Sequence, residues 1–171
     1  VAVHPSDLAP ALVALDASVA IEGPRGARSL SVADLLQPPT DDRRREHTLA
    51  DDELITAIHI PAQPTGARGV YLKAMDRHAW AFALVSVAAQ LALRDDGSVE
   101  QARLVLGGVA NAPHRALAAE NLLVGQPLTP ELAVRAAESA IEGATPLAHN
   151  GYKLALAREL AKRALLAAGG Q

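Results

Sequence analysis

The sequence predicts an α+β protein in which antiparallel strands come first and helices close the chain, and three observations predict it. Half of the 171 residues are apolar, with an excess of Ala, Leu and Val and only Phe82, Trp80, Tyr71 and Tyr152 carrying rings. Such a core packs through many small methyl contacts, which suits close helix-on-sheet layers. Strand-like runs fall in two groups, within 18–60 and 70–106, the later group containing an Asp96-Gly97 hairpin signal. Three helical stretches then follow between Pro113 and Ala168, punctuated by Gly125 and Gly143.

In chain order, His4-Pro5-Ser6-Asp7 reads as a turn that starts a helix. Asp7 is the better N-cap, because it places Pro10 at the third helical position, where the N–H has no intrahelical partner to lose. Leu8, Leu12 and Leu15 then share one face. Residues 18–21 and 28–32 read as strands around the turn Gly23-Pro24-Arg25-Gly26, and 33–36 as one helical turn. A charged loop covers 38–47, and a strand over 54–60 stops at Pro61. Residues 62–68 form a linker with Pro64 and Gly66.

Beyond the linker, 70–75, 82–93 and 99–106 read as three strands of an antiparallel sheet. The first of the three helices starts at Pro113 and stops at Gly125. The second is capped by Thr129, with Pro130 at its first position, and stops at Gly143. The third runs over 152–168 with Leu156, Leu160, Ala164 and Ala168 on one stripe. Two units are expected: residues 1–62, a small α+β piece, and residues 67–171, an antiparallel sheet covered by a helical bundle.

Composition removes several function classes. A net charge of −3 gives no basic field for nucleic acid or an anionic membrane, and the few rings give no base-stacking platform. Without cysteine there are no disulfides, thiolate nucleophiles or Cys-ligated zinc or iron–sulfur clusters in this chain. The apolar run 79–93 is too short to span a bilayer. None of the six histidines pairs at i, i+4 spacing, so a metal site is not expected. Gly107-Gly108 lacks the third glycine and the acidic residue of a dinucleotide fingerprint and reads instead as a bulge or close backbone approach.

Three residues invite two readings each. Asp7 is a helix cap or a ligand contact. Ile55 is a stray exposed apolar residue or a seat for a flat cofactor: strict alternation puts Leu54, Thr56, Ile58 and Ile60 on the core face and Ile55 on the wetter one. Lys73 stands mid-strand on the face of Tyr71 and Met75. It is a snorkelling surface lysine or a cation at the edge of an electron-rich ligand. Arg77 and Arg43-Arg44-Arg45 read as solvated charges.

Taken in order, several segments resemble one family. They are His4–Leu8 with Val13–Ala17, Leu49–Ile55 ending in Ile58-His59-Ile60-Pro61, Tyr71–Arg77, Ala81–Val87, Ala102–Gly108 and His149–Lys153. The succession resembles the medium, FAD-binding subunits of the xanthine dehydrogenase and carbon monoxide dehydrogenase family, the molybdenum hydroxylases. Bacterial aldehyde oxidoreductase subunits look most similar.

The resemblance implies the end of an FAD-binding domain, followed by a C-terminal domain of three antiparallel strands and a helical bundle. It implies FAD as cofactor, with molybdopterin and iron–sulfur clusters in partner subunits, a large and a small one respectively. It puts the complex in the cytoplasm, or in the periplasm for some relatives. The family's glycine-rich pyrophosphate segments precede the His-Pro-Ser-Asp motif, so a missing N-terminal FAD-binding segment is expected.

Matched residue by residue, the resemblance makes Asp7 a polar FAD contact, sets Ile55 against the isoalloxazine and puts Lys73 near the flavin's polar edge. It assigns no catalytic residue. Electrons would pass from iron–sulfur clusters through FAD to an acceptor. Two rival readings are a docking module for partner subunits that does not hold FAD alone, and an unrelated small α+β regulatory domain.

Overall fold

The computed structural model describes residues 4–77 and 79–171. Helix α1 (Leu8–Ala14) leads into strands β1 (Ser18–Gly23) and β2 (Gly26–Ser31), a hairpin in which Gly23 faces Gly26. Gly26 takes φ +105° at the hairpin corner, a conformation that favours glycine. A single turn, α2 (Val32–Leu35), follows. Then β3 (Leu54–His59) returns to pair with β1, giving the antiparallel order β2-β1-β3.

Strands β4 (Arg68–Ala74), β5 (Val85–Leu93) and β6 (Val99–Gly107) form the second antiparallel sheet, as expected. A two-residue strand, β7 (His114–Arg115), extends it to the order β4-β5-β6-β7. The helices α3 (Leu117–Leu123), α4 (Pro130–Ser139) and α5 (Tyr152–Ala168) complete the chain. Thr129 caps α4 through its hydroxyl, which accepts the Leu132 N–H at 3.2 Å. Helix α3 starts later than Pro113 suggests, because His114 and Arg115 are drawn onto the edge of β6.

The second sheet is covered on both faces, which explains why β5 is buried at nearly every position. On one face Val87, Ala89, Leu91, Leu104 and Leu106 meet the three helices. On the other, Ala88 and Val105 join a second cluster with Leu12, Val13 and Ala14 of α1 and Val19 and Ile21 of β1. Helix α1 therefore buries Ala9, Pro10, Leu12, Val13 and Ala14, while Leu8 is exposed. The expected Leu8–Leu12–Leu15 stripe is displaced because α1 lies against a flat sheet bearing small side chains. There, backbone-close Ala and Pro pack best.

Gly107 and Gly108 allow that approach. A Cβ on Gly107 would fall 2.7 Å from Pro10 Cγ and collide with the Ser86 hydroxyl. Gly108, at φ +72°, sits 3.0 Å from the Ala83 and Leu84 carbonyl oxygens by the same measure. The glycine pair is a close-packing device.

Strand β3 departs from strict alternation. Its register on β1 shifts, with Ala20 opposite Ala57 and Ile21 opposite Ile55, so Thr56 is the bulged extra residue. The expected core face of Leu54, Ile58 and Ile60 is not a core. Leu54 is 69 % exposed, Ile58 and Ile60 are also exposed, and Ile55 lies opposite the buried Ile21 at 38 % exposure. A sheet edge with no covering layer among the described residues leaves both faces of β3 open.

Candidate functional site

The junction of α1 and β4 gathers the most functional chemistry. It begins with a division of labour at the helix start. Ser6, not Asp7, supplies the cap: its hydroxyl accepts the Ala9 N–H at 3.1 Å, and Asp7 makes no capping bond. The Asp7 carboxylate is therefore free to point across to β4. There Lys73 Nζ donates to Asp7 Oδ2 at 2.6 Å and the Tyr71 hydroxyl donates to Asp7 Oδ1 at 3.0 Å. Tyr71 and Lys73 are two apart on one strand, so alternation puts both on the face that meets α1.

Lys73 is not a snorkelling surface lysine. Its side chain is only 18 % exposed, and Nζ also donates to the Ala81 carbonyl at 2.9 Å. An ammonium has three N–H donors, so one remains for a ligand. Burial of the ring, reinforced by the Asp7 carboxylate, pushes the Tyr71 phenol up to about 12. Tyr71 stays protonated and keeps donating.

The Ala81 contact ties the residues just before β5 to Lys73. Arg77 Nη2 donates to the Trp80 carbonyl at 2.8 Å, and Leu84 N–H closes onto Ala74. Arg77 is thus a loop tie rather than a merely solvated charge. Trp80 takes φ +56° and stands 95 % exposed, with Phe82 exposed beside it in sequence. A non-glycine residue at positive φ, bearing an unpacked indole, marks a strained presentation of an aromatic surface. Neither ring is identifiable as a site residue from spacing. Phe82 reads there as the start of a strand, and β5 begins only at Val85.

Ile55 stands on the other sheet. The structure brings Asp7 and Lys73 into direct contact and leaves Ile55 opposite Ile21 on the open edge strand. Just before it, Arg28 Nη2 and Nε hold Glu53 at 2.7 and 2.8 Å, while Arg25 grips Asp52 at 2.9 Å. Arg28 foremost, then the Ala50 N–H, draws the Glu53 carboxyl down to about 2. In the charged loop, Arg43 donates to the carbonyls of Pro38 and His47 at 2.8 and 3.1 Å, and Arg45 pairs with Asp51. Arg43 thus organises backbone and is not the simple solvated charge expected, while Arg45 stays in an exposed ion pair.

A further network ties the end of α1 to the second sheet. Asp16, at φ +50°, accepts from Arg103 at 2.8 Å and from Arg115 at 3.1 Å. Arg115 also grips the buried Glu120 at 3.0 Å, and Glu120 Oε1 accepts the Leu104 N–H at 2.9 Å. The Arg115 guanidinium is held above its ordinary value, chiefly by the Glu120 hydrogen bond. This fixes the end of α1 on β6 and so holds Asp7, at the other end of the same short helix, in place.

Comparisons with known proteins bear on what this junction serves. Residues 70–168 match the CO dehydrogenase flavoprotein C-terminal domain, and residues 1–63 match the FAD binding domain in molybdopterin dehydrogenase. The chain belongs to the flavoprotein family of the molybdopterin dehydrogenases. It is 39 % identical to the aldehyde oxidoreductase FAD-binding subunit PaoB of Escherichia coli (strain K12), covering 100 % of this chain and 50 % of that protein. The nicotine 6-hydroxylase medium subunit of Paenarthrobacter nicotinovorans is 30 % identical, over 94 % of this chain and 55 % of that one.

Among solved structures, quinoline 2-oxidoreductase from Pseudomonas putida 86 superposes with a TM-score of 0.86 at 26 % identity. That match covers 99 % of this chain and 57 % of the other. The carbon monoxide dehydrogenase of Hydrogenophaga pseudoflava gives a TM-score of 0.84 at 28 % identity, over 96 % of this chain and 59 % of that one. The chain thus spans about half the length of the relatives it matches.

The α1–β4 junction presents a compact set of polar groups. It offers a cation with an unspent N–H, a carboxylate and phenol that fix it, and two exposed rings on the loop it closes. Asp7 differs from a simple ligand contact, since both its oxygens already accept bonds within the protein. Among the described residues no cluster of three or more His, Cys, Asp or Glu is placed to hold a metal. Among the same residues no helix is long and apolar enough to cross a membrane.

Proposed function

We propose that this chain is the C-terminal portion of an FAD-binding, electron-transferring subunit of a molybdenum hydroxylase, with Asp7, Ile55 and Lys73 lining its flavin cleft. The observation that carries the reading is Lys73, held by Asp7 and the Ala81 carbonyl with a donor to spare beside the Trp80 loop. The boundary between the FAD-binding end and the C-terminal domain falls in the Pro-containing segment between 62 and 67. Partners would be a molybdopterin-binding large subunit, an iron–sulfur small subunit and the preceding FAD-binding segment. The complex would act in the cytoplasm. The open, apolar strand β3 supports that assembly, since contiguous exposed apolar surface of this kind ordinarily meets further protein or ligand.

FAD, when bound, supplies the electron chemistry between the iron–sulfur partner and the final acceptor. The protein's part is orientation and electrostatics. Lys73 presents positive charge to whichever ring edge gains electron density. Asp7 and Tyr71 hold that ammonium in one place, so little reorganisation accompanies the charge change. Ile55, Trp80 and Phe82 offer apolar surface that excludes water from a ring face.

The test is flavin retention in the full-length subunit within its complex. Lys73→Met keeps the side chain's length and removes its charge. It is expected to raise the FAD dissociation constant by about tenfold or more, as loss of a charge-assisted contact does. Retention equal to wild type would remove Lys73 from the site. A second reading, a docking module that holds no FAD alone, is favoured for the isolated chain by the internal engagement of Asp7. Mixing the chain with FAD separates the two: quenched flavin fluorescence supports a self-sufficient site, and unchanged fluorescence the module.

A further inference from the structure

A cavity of about 270 Å³ lies far along the chain from Asp7 and Lys73, between the end of the second sheet and the α4–α5 connection. Its apolar walls include Leu106, Val109, Ile141 and Leu154. Its polar lining includes Lys153, Asn150 and His114, with Glu142 as the carboxylate of the set. Lys153 comes from the His149–Lys153 segment, which the flavin reading leaves without a role.

Lys153 is an uncompensated cation. Its ammonium donates to the Gly108 carbonyl at 2.8 Å, and among the described residues no acidic side chain pairs with it. Glu142 lines the same cavity without forming that pair. Burial alone pushes the Lys153 ammonium below the ordinary lysine value, with no neighbouring charge acting the other way. A partly buried ammonium without a counter-charge is a standing electrostatic deficit, and two of its three N–H donors remain unspent. Asn150 adds to them. Its Oδ1 accepts the Leu147 N–H at 2.6 Å, which turns the amide nitrogen, a pure donor, to other use.

We propose that this cavity binds a small apolar monocarboxylate, its carboxylate on Lys153 and Asn150 and its body against Leu106, Val109, Ile141 and Leu154. The volume admits a molecule of roughly benzoate's size, about ten non-hydrogen atoms. The donors on its wall select an anion, and the apolar remainder selects a hydrocarbon body over a hydrated inorganic ion. The site stands independently of the flavin assignment, since it shares no residue with the α1–β4 junction.

The experiment is fluorine NMR of 4-fluorobenzoate and 4-fluorobenzamide titrated into the purified protein, with inorganic phosphate as a third probe. The fluorobenzoate is expected to bind at least about tenfold more tightly than the amide, which has the same shape without the charge, and phosphate is not expected to displace it. Lys153→Met should abolish the preference and Lys153→Arg should retain it. Ala144→Trp, placed at an exposed lining position, should block both probes by filling the space while leaving the cation untouched. If Lys153→Met loses its fold by circular dichroism, the amide comparison and Ala144→Trp still decide. Equal binding of acid and amide, binding of neither at millimolar concentration, displacement by phosphate, or full binding to Ala144→Trp would each overturn the proposal.

Discussion

Ser6 and Asp7 are neighbours of similar capping power, yet the structure gives them different jobs, and the difference is measurable. Ser6→Ala removes the hydroxyl that accepts the Ala9 N–H and is expected to cost about 1 kcal/mol of stability in urea unfolding. Asp7→Asn should leave the helix start intact and instead loosen Lys73. Tyr71→Phe releases Asp7 Oδ1 while leaving the ion pair. It should change stability by about 1 kcal/mol or less and shift flavin retention far less than Lys73→Met. At the hairpin, the Glu53 carboxyl is drawn down to about 2 by Arg28. A depressed folded pKa contributes stability above the unfolded value and loses it as pH falls. Acid unfolding of wild type should therefore steepen between about pH 4.3 and pH 2, and Glu53→Gln should flatten that limb by circular dichroism.

Most secondary structure was legible because local signals agreed with the tertiary fold: Thr129-Pro130 starts α4, and Asp96-Gly97 turns β5 into β6. Strand β3 shows where such reading stops. Its alternation is regular in sequence, but a bulge is chosen by the partner strand, and Thr56 carries no mark of being the extra residue. The burial of α1 was equally hidden, since Leu8 looks like core until a sheet of small residues favours Ala9 and Pro10 instead. Gly107-Gly108 reads in sequence as a bulge or a close approach, and only the structure shows the second, with Pro10 as what Gly107 approaches. Gly107→Ala should drive a methyl into Pro10 and the Ser86 hydroxyl and cost roughly 2 kcal/mol or more by chemical denaturation, with the α1–sheet contact as the casualty.

At the scale of the whole molecule, one sheet serves two cores. Ala88 and Val105 belong to the cluster under α1, while their strand neighbours belong to the helical side, so the two cores share β5 and β6. The Asp16–Arg115–Glu120 chain adds a polar fastening across the same junction. Glu120→Ala, which leaves the half-buried Arg115 guanidinium with Asp16 alone and strands the Leu104 N–H, is expected to lower stability by about 3 kcal/mol. The sequence carries no sign that Asp7 and Lys73 pair directly, because residues 66 apart meet only through that shared sheet. Nothing in the sequence marks Trp80, since exposure is invisible in a chain read linearly. The measurement that tests the account most directly is the flavin midpoint potential of the full-length subunit with Lys73 and with Met in its place. Removing a cation that stabilises added electron density, and unmasking Asp7, should lower the two-electron midpoint by about 30 mV or more. A midpoint unchanged by the substitution, with FAD content equal to wild type, would contradict it.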